Sequence, residues 1–273
     1  MTFLKENFER LKNEGLKKTF EVLELAFKKC DIDYYLIGAR ARDLWTDHIP
    51  LRDKRTTVDV DFCIYIHEYE QYRMLVKVLI DTFGFKRDED EPFRFYFNGT
   101  IDLIPFGGIE KNGEVFLENP PTELSVYGTK EAVAHAQIVE GEFKVVTLSG
   151  LCVLKLIAFH EKPDRRAKDL EDFYFLLENY GEIAGDQLFE GVEHEDLINN
   201  NFELSIASAR LLGRQIKVIA SGNLELSAKM KQILSSRLQG FSEKEIDSMY
   251  NVRDKGDKTV ERLKLVSELL KEL

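Results

Sequence analysis

The chain has 273 residues, of which 44% are hydrophobic and 32% are charged, and its 38 basic and 49 acidic residues give a net charge of −11. This length is enough for one large domain or two smaller ones, and no apolar run approaches the roughly 20 residues that span a bilayer. An acidic chain is a poor general partner for nucleic acid, so any such binding requires a local basic patch.

The N-terminus and the cysteines both indicate a cytoplasmic protein without membrane contact. Charged residues occur throughout the N-terminal MTFLKENFERLKNEGLKK, which lacks the apolar region of a signal peptide. Cys30, Cys63 and Cys152 are far apart in apolar surroundings, which is typical of reduced, buried thiols rather than of a disulfide or a zinc site.

The first predicted elements alternate between helices and strands. Two helices are predicted in FLKENFERLKNE and LKKTFEVLELAFKKC, and the expected packed face of the second is Phe20, Leu23, Leu25 and Phe27. The next elements, in chain order, are a short buried strand (31–38), a helix (39–45), a buried strand (55–66) and a helix (67–85). Gly38 therefore lies at a strand-to-helix junction, and Gly84 ends the last of these helices.

Two turn signals predict hairpins. The Asn-Gly pair at 98–99 separates two aromatic-rich apolar runs over residues 93–106, which is the strongest short hairpin signal. If this turn pairs its strands tightly, Asp102 faces Phe95. A second strand pair, around a Glu-Gly turn, is predicted over residues 135–148.

Helical periodicity dominates after Leu148. It appears in SGLCVLKLIAFHEK, RRAKDLEDFYFLLENY, FELSIASARLLGRQIKVIA, SAKMKQILSSRL and TVERLKLVSELLKEL. The sequence therefore predicts an α+β fold with two parts, an α/β part over residues 1–148 and an all-helical part over residues 149–273.

Two aspartates interrupt the apolar strand RTTVDVDFCIYI. Asp59 and Asp61 are two residues apart, so on a strand their side chains point to the same face. Burying two carboxylates without a counter-charge is prohibitive, and a divalent cation such as Mg²⁺, held by one or two carboxylates plus substrate phosphates, resolves this. The alternative is an edge strand on which both aspartates face water.

Asp102 is a third aspartate within a predicted strand. Three such carboxylates fit two-metal phosphoryl or nucleotidyl transfer, and Asp102 could also serve as a general base. The backbone N–H groups after Gly38 could cradle a phosphate, although a glycine-led turn alone is also compatible with a simple turn.

Basic residues supply a further set of candidates. Lys155 interrupts an almost wholly apolar helix, so it either extends to solvent or points at a site. Lys168 and Asp172 are i,i+4 neighbours, which is only a weak helix-stabilising pair. Basic residues at 52–55 and at 165–166 stand where an acidic protein would need them to hold triphosphate or nucleic acid, or else form a solvated charged face.

Four segments together resemble the nucleotidyltransferase superfamily: YYLIGARARDLW, RTTVDVDFCI, GTIDLIPFGGIE and LKLIAFHEKPDRRAKDLEDFYFLL. They cover residues 33–180, and the most similar branch is the AbiEii/AbiGii-type predicted nucleotidyltransferases, some of which are toxins of type IV toxin–antitoxin systems. The resemblance implies a mixed sheet with flanking helices. It also implies the following roles: Asp59 and Asp61 as metal ligands, Asp102 as the third acidic residue, Lys155 as a phosphate contact and Asp172 as the late aspartate of the family.

The turn after the first strand departs from the family pattern. Its second position is Ala39 instead of Gly or Ser, and the gap from Gly38 to Asp59 is longer than usual. Gly38 with Arg42 and Asp43 is instead similar to the turn of the tRNA nucleotidyltransferase branch. The predicted nucleotide contacts are accordingly Gly38, Ala39, Arg42, Lys155, Lys168 and Asp172.

The resulting expectation is a Mg²⁺-dependent nucleotidyltransferase. It would move NMP from an NTP to a hydroxyl of a small molecule, a tRNA or a protein, with two Mg²⁺ ions when NTP is bound and an antitoxin as a candidate partner. One alternative, slightly favoured by Ala39, is a catalytically decayed binding module. Another is a metal-dependent phosphatase or nuclease, although the five histidines are scattered.

Overall fold

The computed structural model describes residues 2–47, 49, 59–141, 143–189, 192–198, 202–252 and 257–273. It divides into two compact units, Met1–Leu151 and Cys152–Leu273, whereas the sequence places the change of character at residue 148. The first unit combines helices with a mixed sheet and the second is helical, so the predicted α+β class is confirmed. Among the described helices, none has the length and apolar character needed to cross a membrane.

The first unit contains five helices and nine strands within its described residues. They are α1 (Thr2–Leu11), α2 (Lys17–Lys29), β1 (Tyr34–Ile37), α3 (Gly38–Thr46), β2 (Val60–Ile66), α4 (Tyr69–Lys77), β3 (Lys86–Arg87), β4 (Arg94–Tyr96), β5 (Thr100–Gly107), β6 (Glu114–Leu117), β7 (Thr122–Ser125), α5 (Thr129–Ala134), β8 (Gln137–Glu140) and β9 (Phe143–Val145). Short π-helical turns follow α1 (Lys12–Leu16) and α4 (Val78–Thr82).

Seven of these strands form one mixed sheet in the order β3-β4-β5-β2-β1-β9-β8. The pairs β2–β5 and β1–β9 are parallel, and the other pairs are antiparallel. Strands β6 and β7 pair separately. The central position of β2 in this order places its residues between β1 and β5.

Aromatic side chains join α2 to one face of this sheet. Phe62 of β2 lies with its ring centroid 6.1 Å from Phe20 and 5.9 Å from Phe27, and all three are fully buried. Leu25, expected on the same packed face of α2, is instead 57% exposed. Because side chains alternate along a strand, Asp61 projects to the opposite face from Phe62.

The hairpin at the Asn-Gly turn forms with a register one residue away from the prediction. Asp102 pairs with Arg94, and Phe95 pairs with Ile101. Three residues, Phe97 to Gly99, connect the paired positions, and φ is positive at both Asn98 (+52°) and Gly99 (+148°). Since side chains alternate, this shift replaces an apolar neighbour of Asp102 by a charged one.

The second unit consists mainly of helices packed side by side. After α6 (Leu148–Glu161), which begins before the boundary, come α7 (Ala167–Ala184), α8 (Leu204–Ala220), α9 (Leu224–Arg237), α10 (Glu243–Val252) and α11 (Lys258–Glu272). Helices α8 and α11 approach closely at Gly213, where an added Cβ would lie 2.4 Å from the carbonyl oxygen of Leu269. Glu272 accepts hydrogen bonds from Arg210 and Arg214; burial raises the pKa of Glu272, but these guanidinium groups lower it more.

Candidate functional site

Gly38 is the first residue of α3 and directly follows the last residue of β1. Its φ of +68° belongs to the left-handed region that glycine adopts readily. A Cβ at this position would lie 2.0 Å from Oδ2 and 2.9 Å from Cγ of Asp61. The Asp61 carboxylate therefore occupies the space that any side chain at position 38 would need.

Four neighbouring strands place Ile37, Asp61, Asp102 and Arg94 side by side. Ile37 pairs with Asp61, Asp61 pairs with Asp102 along the parallel strands β2 and β5, and Asp102 pairs with Arg94. Neighbouring strands are about 4.8 Å apart, and residues paired in register project to the same face of a sheet. Asp61, Asp102 and Arg94 thus line one face at the β1–α3 junction.

Asp59 extends this line of carboxylates by one position. It directly precedes β2, and both Asp59 and Asp61 are partly exposed whereas Val60 between them is buried. This alternation is the pattern expected when both aspartates lie on one face of an extended segment. We call Asp59, Asp61 and Asp102 the acidic row. The basic residues predicted at 52–55 lie outside the described residues.

Asp102 is already neutralised by an arginine. Arg94 donates from Nε to Oδ1 and from Nη2 to Oδ2 of Asp102, each at 2.8 Å, and the Asp102 side chain is only 13% exposed. The hydrogen bonds to Asp102 raise the pKa of Arg94 despite its partial burial. Bidentate pairs of this kind are among the strongest ion pairs in proteins.

The shared three-carboxylate metal site that the sequence predicts at the acidic row stays a prediction. Within the part of the chain that the structure describes, no group of three or more His, Cys, Asp or Glu side chains is placed to hold a metal ion. Arg94 engages Asp102, because both carboxylate oxygens of Asp102 accept hydrogen bonds from the guanidinium group. Asp59 and Asp61 are the other members of the acidic row, and one or two carboxylates are the usual protein ligands of Mg²⁺ when substrate phosphates supply further oxygens.

Arg42, predicted as a nucleotide contact, has a buried side chain. Its side chain is 2% exposed and donates from Nε and Nη2 to Oδ1 of the adjacent Asp43, at 3.0 and 2.7 Å. Both residues belong to α3, so this ion pair lies within the helix. Ala39, the second residue of α3, is partly exposed.

Lys155 and two aspartates form an ion cluster inside the second unit. Lys155 Nζ lies 2.6 Å from Asp172 Oδ2 and 3.2 Å from Asp169 Oδ1, and its side chain is 10% exposed. The lysine therefore does not extend to solvent. Lys168, predicted to pair with Asp172 and to contact nucleotide, is an exposed residue of α7.

Two charged residues of these ion pairs, Arg94 and Asp169, were not among the predicted site residues. Arg94 was missed because its pairing with Asp102 depends on the length of the hairpin loop. Asp169 had a usable signal, since it precedes Asp172 by three residues and so shares its helix face.

Comparisons of the chain with protein-family models, with curated proteins and with solved structures find no match. The resemblance to the nucleotidyltransferase superfamily therefore stays a prediction from the sequence.

Proposed function

We propose that the chain is a Mg²⁺-dependent nucleotidyltransferase that moves NMP from an NTP to an acceptor hydroxyl. The observation that carries the proposal is the position of Asp61. Its carboxylate lies against Gly38 at the strand-to-helix junction, and Asp59 shares its face. This combines a pair of oxygen ligands with the start of a helix, where backbone N–H groups favour phosphate.

Each part of the junction has a role in this proposal. Asp59 and Asp61 would hold Mg²⁺, and the start of α3 at Gly38 would receive the terminal phosphates of the NTP. Bound Mg²⁺ would neutralise charge on the α-phosphate and on the departing pyrophosphate. The chain contributes mainly by positioning the NTP against the acceptor.

The proposal specifies the acceptor and the protein partner only by their chemical class. A small hydroxyl compound, a tRNA end and a protein side chain all present the required nucleophile. An antitoxin partner follows from the resemblance to the AbiEii-type branch alone. Incubation with α-labelled NTPs, Mg²⁺ and cell extract would identify the acceptor by the molecule that becomes labelled.

The variant Asp61→Asn tests the proposed metal ligands. Asparagine keeps the shape of the side chain against Gly38 but removes its charge, so we expect label transfer to fall by at least about 100-fold. We also expect the stabilisation of the wild-type chain by Mg²⁺ with NTP, measured as a shift in Tm, to disappear. Asp33→Asn is the matched control, because Asp33 lies before β1, is 61% exposed and pairs with Lys144. An Asp61→Asn variant that transfers label at the wild-type rate would refute the proposal.

Three ion pairs favour a second candidate, a binding module that has lost catalysis. Arg94 pairs with Asp102, and Lys155 pairs with Asp169 and Asp172. Three predicted site residues, Asp102, Lys155 and Asp172, are therefore engaged within the chain. The same experiment separates the candidates. A wild-type chain that shows neither label transfer nor a Tm response to Mg²⁺ with any of the four NTPs fits the binding module.

A further inference from the structure

We infer that a cavity beside α4 binds a small dianion with an apolar body, such as an aryl phosphate. The cavity has a volume of about 220 Å³ and is lined by α4, by Arg87 at the end of β3 and by residues 117–119. It is separate from the acidic row, because that row lies near the start of β2 whereas α4 follows the end of this strand, roughly 20 Å further along. The inference therefore goes beyond the proposed function and does not depend on it.

The charge of the lining favours an anion. Three lining side chains are basic, namely Arg73, Lys77 and Arg87, and Glu118 is the one acidic residue among them. Three positive charges less one negative charge leave a local excess of two, in a chain whose net charge is −11. A concentration of positive charge in a concave surface attracts anions, and a ligand with two negative charges balances this excess.

Two of the basic groups keep hydrogen-bond donors for a ligand. Arg87 donates from Nε to the carbonyl oxygen of Pro92 at 2.8 Å, which orients the guanidinium and uses one of its five N–H donors. Lys77 is exposed at the end of α4, and no carboxylate in the described part of the chain forms an ion pair with it. In contrast, Arg73 pairs with Glu118 at 3.3 Å. Arg87 and Lys77 are therefore the groups that we expect to hold the anion.

The walls of the cavity are apolar. Tyr72 and Leu117 are 5% and 1% exposed, and Tyr69 and Val76 are partly exposed. The hydroxyl of Tyr72 donates to the carbonyl oxygen of Pro92 at 3.0 Å, so this tyrosine offers mainly ring surface to a ligand. Apolar walls with a few fixed polar groups are typical of small-molecule sites.

A phosphate monoester on an aromatic ring satisfies both requirements. It carries a charge of about −1.5 to −2 near pH 7 and three acceptor oxygens. The planar guanidinium of Arg87 matches the geometry of such oxygens, and Lys77 adds a mobile ammonium group. The ring of the ligand would cover the apolar walls, which an anion without an apolar body leaves uncovered.

Binding of phenyl phosphate, measured by isothermal titration calorimetry on the full chain without divalent cations, tests the inference. Inorganic phosphate supplies the charge without the ring, and phenol supplies the ring without the charge. We expect phenyl phosphate to bind at least about 10-fold more tightly than either compound, because only phenyl phosphate uses both the cations and the walls. Equal affinity for phenyl phosphate and inorganic phosphate, or for phenyl phosphate and phenol, would overturn the inference.

Substitutions of the charged lining locate the site. We expect Lys77→Gln and Arg87→Gln each to weaken binding of phenyl phosphate by at least about 10-fold, since each removes a charged donor. Glu118→Gln should strengthen binding, because it removes the one carboxylate of the lining. Lys86→Gln is the matched control; Lys86 is exposed and directly precedes Arg87 on β3, so its side chain projects to the opposite face and the variant should bind as the wild type does.

A second control is needed because Lys77 also lines a neighbouring cavity of about 490 Å³. Met74 lines that cavity but not the one proposed here, so Met74→Gln should leave the affinity for phenyl phosphate unchanged. If Arg87→Gln does not fold, Lys77→Gln decides the question, since the exposed Lys77 side chain can be replaced without loss of an ion pair within the described chain. Wild-type affinity in Lys77→Gln, or an equal loss in Met74→Gln or Lys86→Gln, would overturn the inference. None of these results bears on label transfer, which the Asp61→Asn variant tests separately.

Discussion

A methyl group at position 38 would raise the free energy of the folded chain in two separate ways. The φ angle is +68°, and the new Cβ would lie 2.0 Å from Asp61 Oδ2. Gly84 has a similar φ of +74°, but nothing lies within 4 Å of its Cβ position. The two glycines therefore separate the cost of the backbone conformation from the cost of the contact with the carboxylate.

We expect Gly38→Ala to reduce the free energy of unfolding more than Gly84→Ala does. The left-handed conformation costs about 1–2 kcal/mol in either variant. Overlap with Asp61 adds about 1–3 kcal/mol at position 38 only, because a packed side chain must move. Urea unfolding followed by circular dichroism gives both values. Equal losses in the two variants would contradict the close approach of Asp61 to Gly38.

Some of the site residues can be identified from sequence patterns and others cannot. Asp61 is detectable because a carboxylate in an apolar strand is costly, and Gly38 because glycine marks a junction. The burial of Arg42 could not be predicted, since α3 shows no feature that separates a buried arginine from an exposed one. The pairing of Arg94 with Asp102 depends on a one-residue difference in the length of the hairpin loop, and an Asn-Gly turn supports loops of more than one length.

At the scale of elements, the helices α6 and α7 are joined by the cluster of Lys155, Asp169 and Asp172. Lys155 is 8% exposed on a helix whose other neighbouring positions are largely apolar. The cluster contains two carboxylates and one ammonium, and Arg166 Nη1 lies 3.7 Å from Asp169 Oδ2. Lys155 is therefore a counter-charge shared by both aspartates.

We expect Lys155→Met to destabilise the second unit by roughly 3 kcal/mol, because removal of one partner leaves buried charge uncompensated. The methionine preserves the apolar packing of the side chain, so the loss reports the charge. Lys168→Met is the matched control; it is exposed on α7, and we expect a loss below about 0.5 kcal/mol. The measurement is thermal unfolding of all three chains. A Lys155→Met variant as stable as Lys168→Met would show that the cluster does not support the helix pair.

Long elements were predicted better than short ones. The helices α8 and α11 each repeat their apolar positions over several turns, which gives a clear period. The two-residue strand β3, the separate pair β6–β7 and the six-residue helix α5 were not predicted, because segments of this length contain too few positions to show a period. Helix α10 was also missed, since its buried face consists mainly of Ile246 and Tyr250.

At the scale of the whole molecule, buried thiols are present in both units. Cys63 of the first unit and Cys152 of the second are 1% and 0% exposed, and neither forms a disulfide. Burial raises the pKa of Cys63, and it raises the pKa of Cys152 to about 12 although the nearby Lys155 acts in the opposite direction. Both thiols thus bind their protons more tightly in the folded chain than in the unfolded chain.

This difference predicts that the molecule loses stability as the pH rises above the thiol pKa of the unfolded chain, about 8.5. Above that pH the unfolded chain releases protons that the folded chain retains, so each thiol lowers the free energy of unfolding by about 1.4 kcal/mol per pH unit. Near pH 7 both states hold the proton almost completely, and the thiols contribute almost no pH dependence. Urea unfolding at pH 7 and at several values up to pH 10 measures the slope for the wild type, Cys63→Ala and Cys152→Ala. Each variant is its own control, since any cavity cost is already present at pH 7. We expect each substitution to reduce the alkaline slope by the contribution of one thiol, and a variant with the wild-type slope would show that its thiol ionises as readily in the folded chain as in the unfolded one.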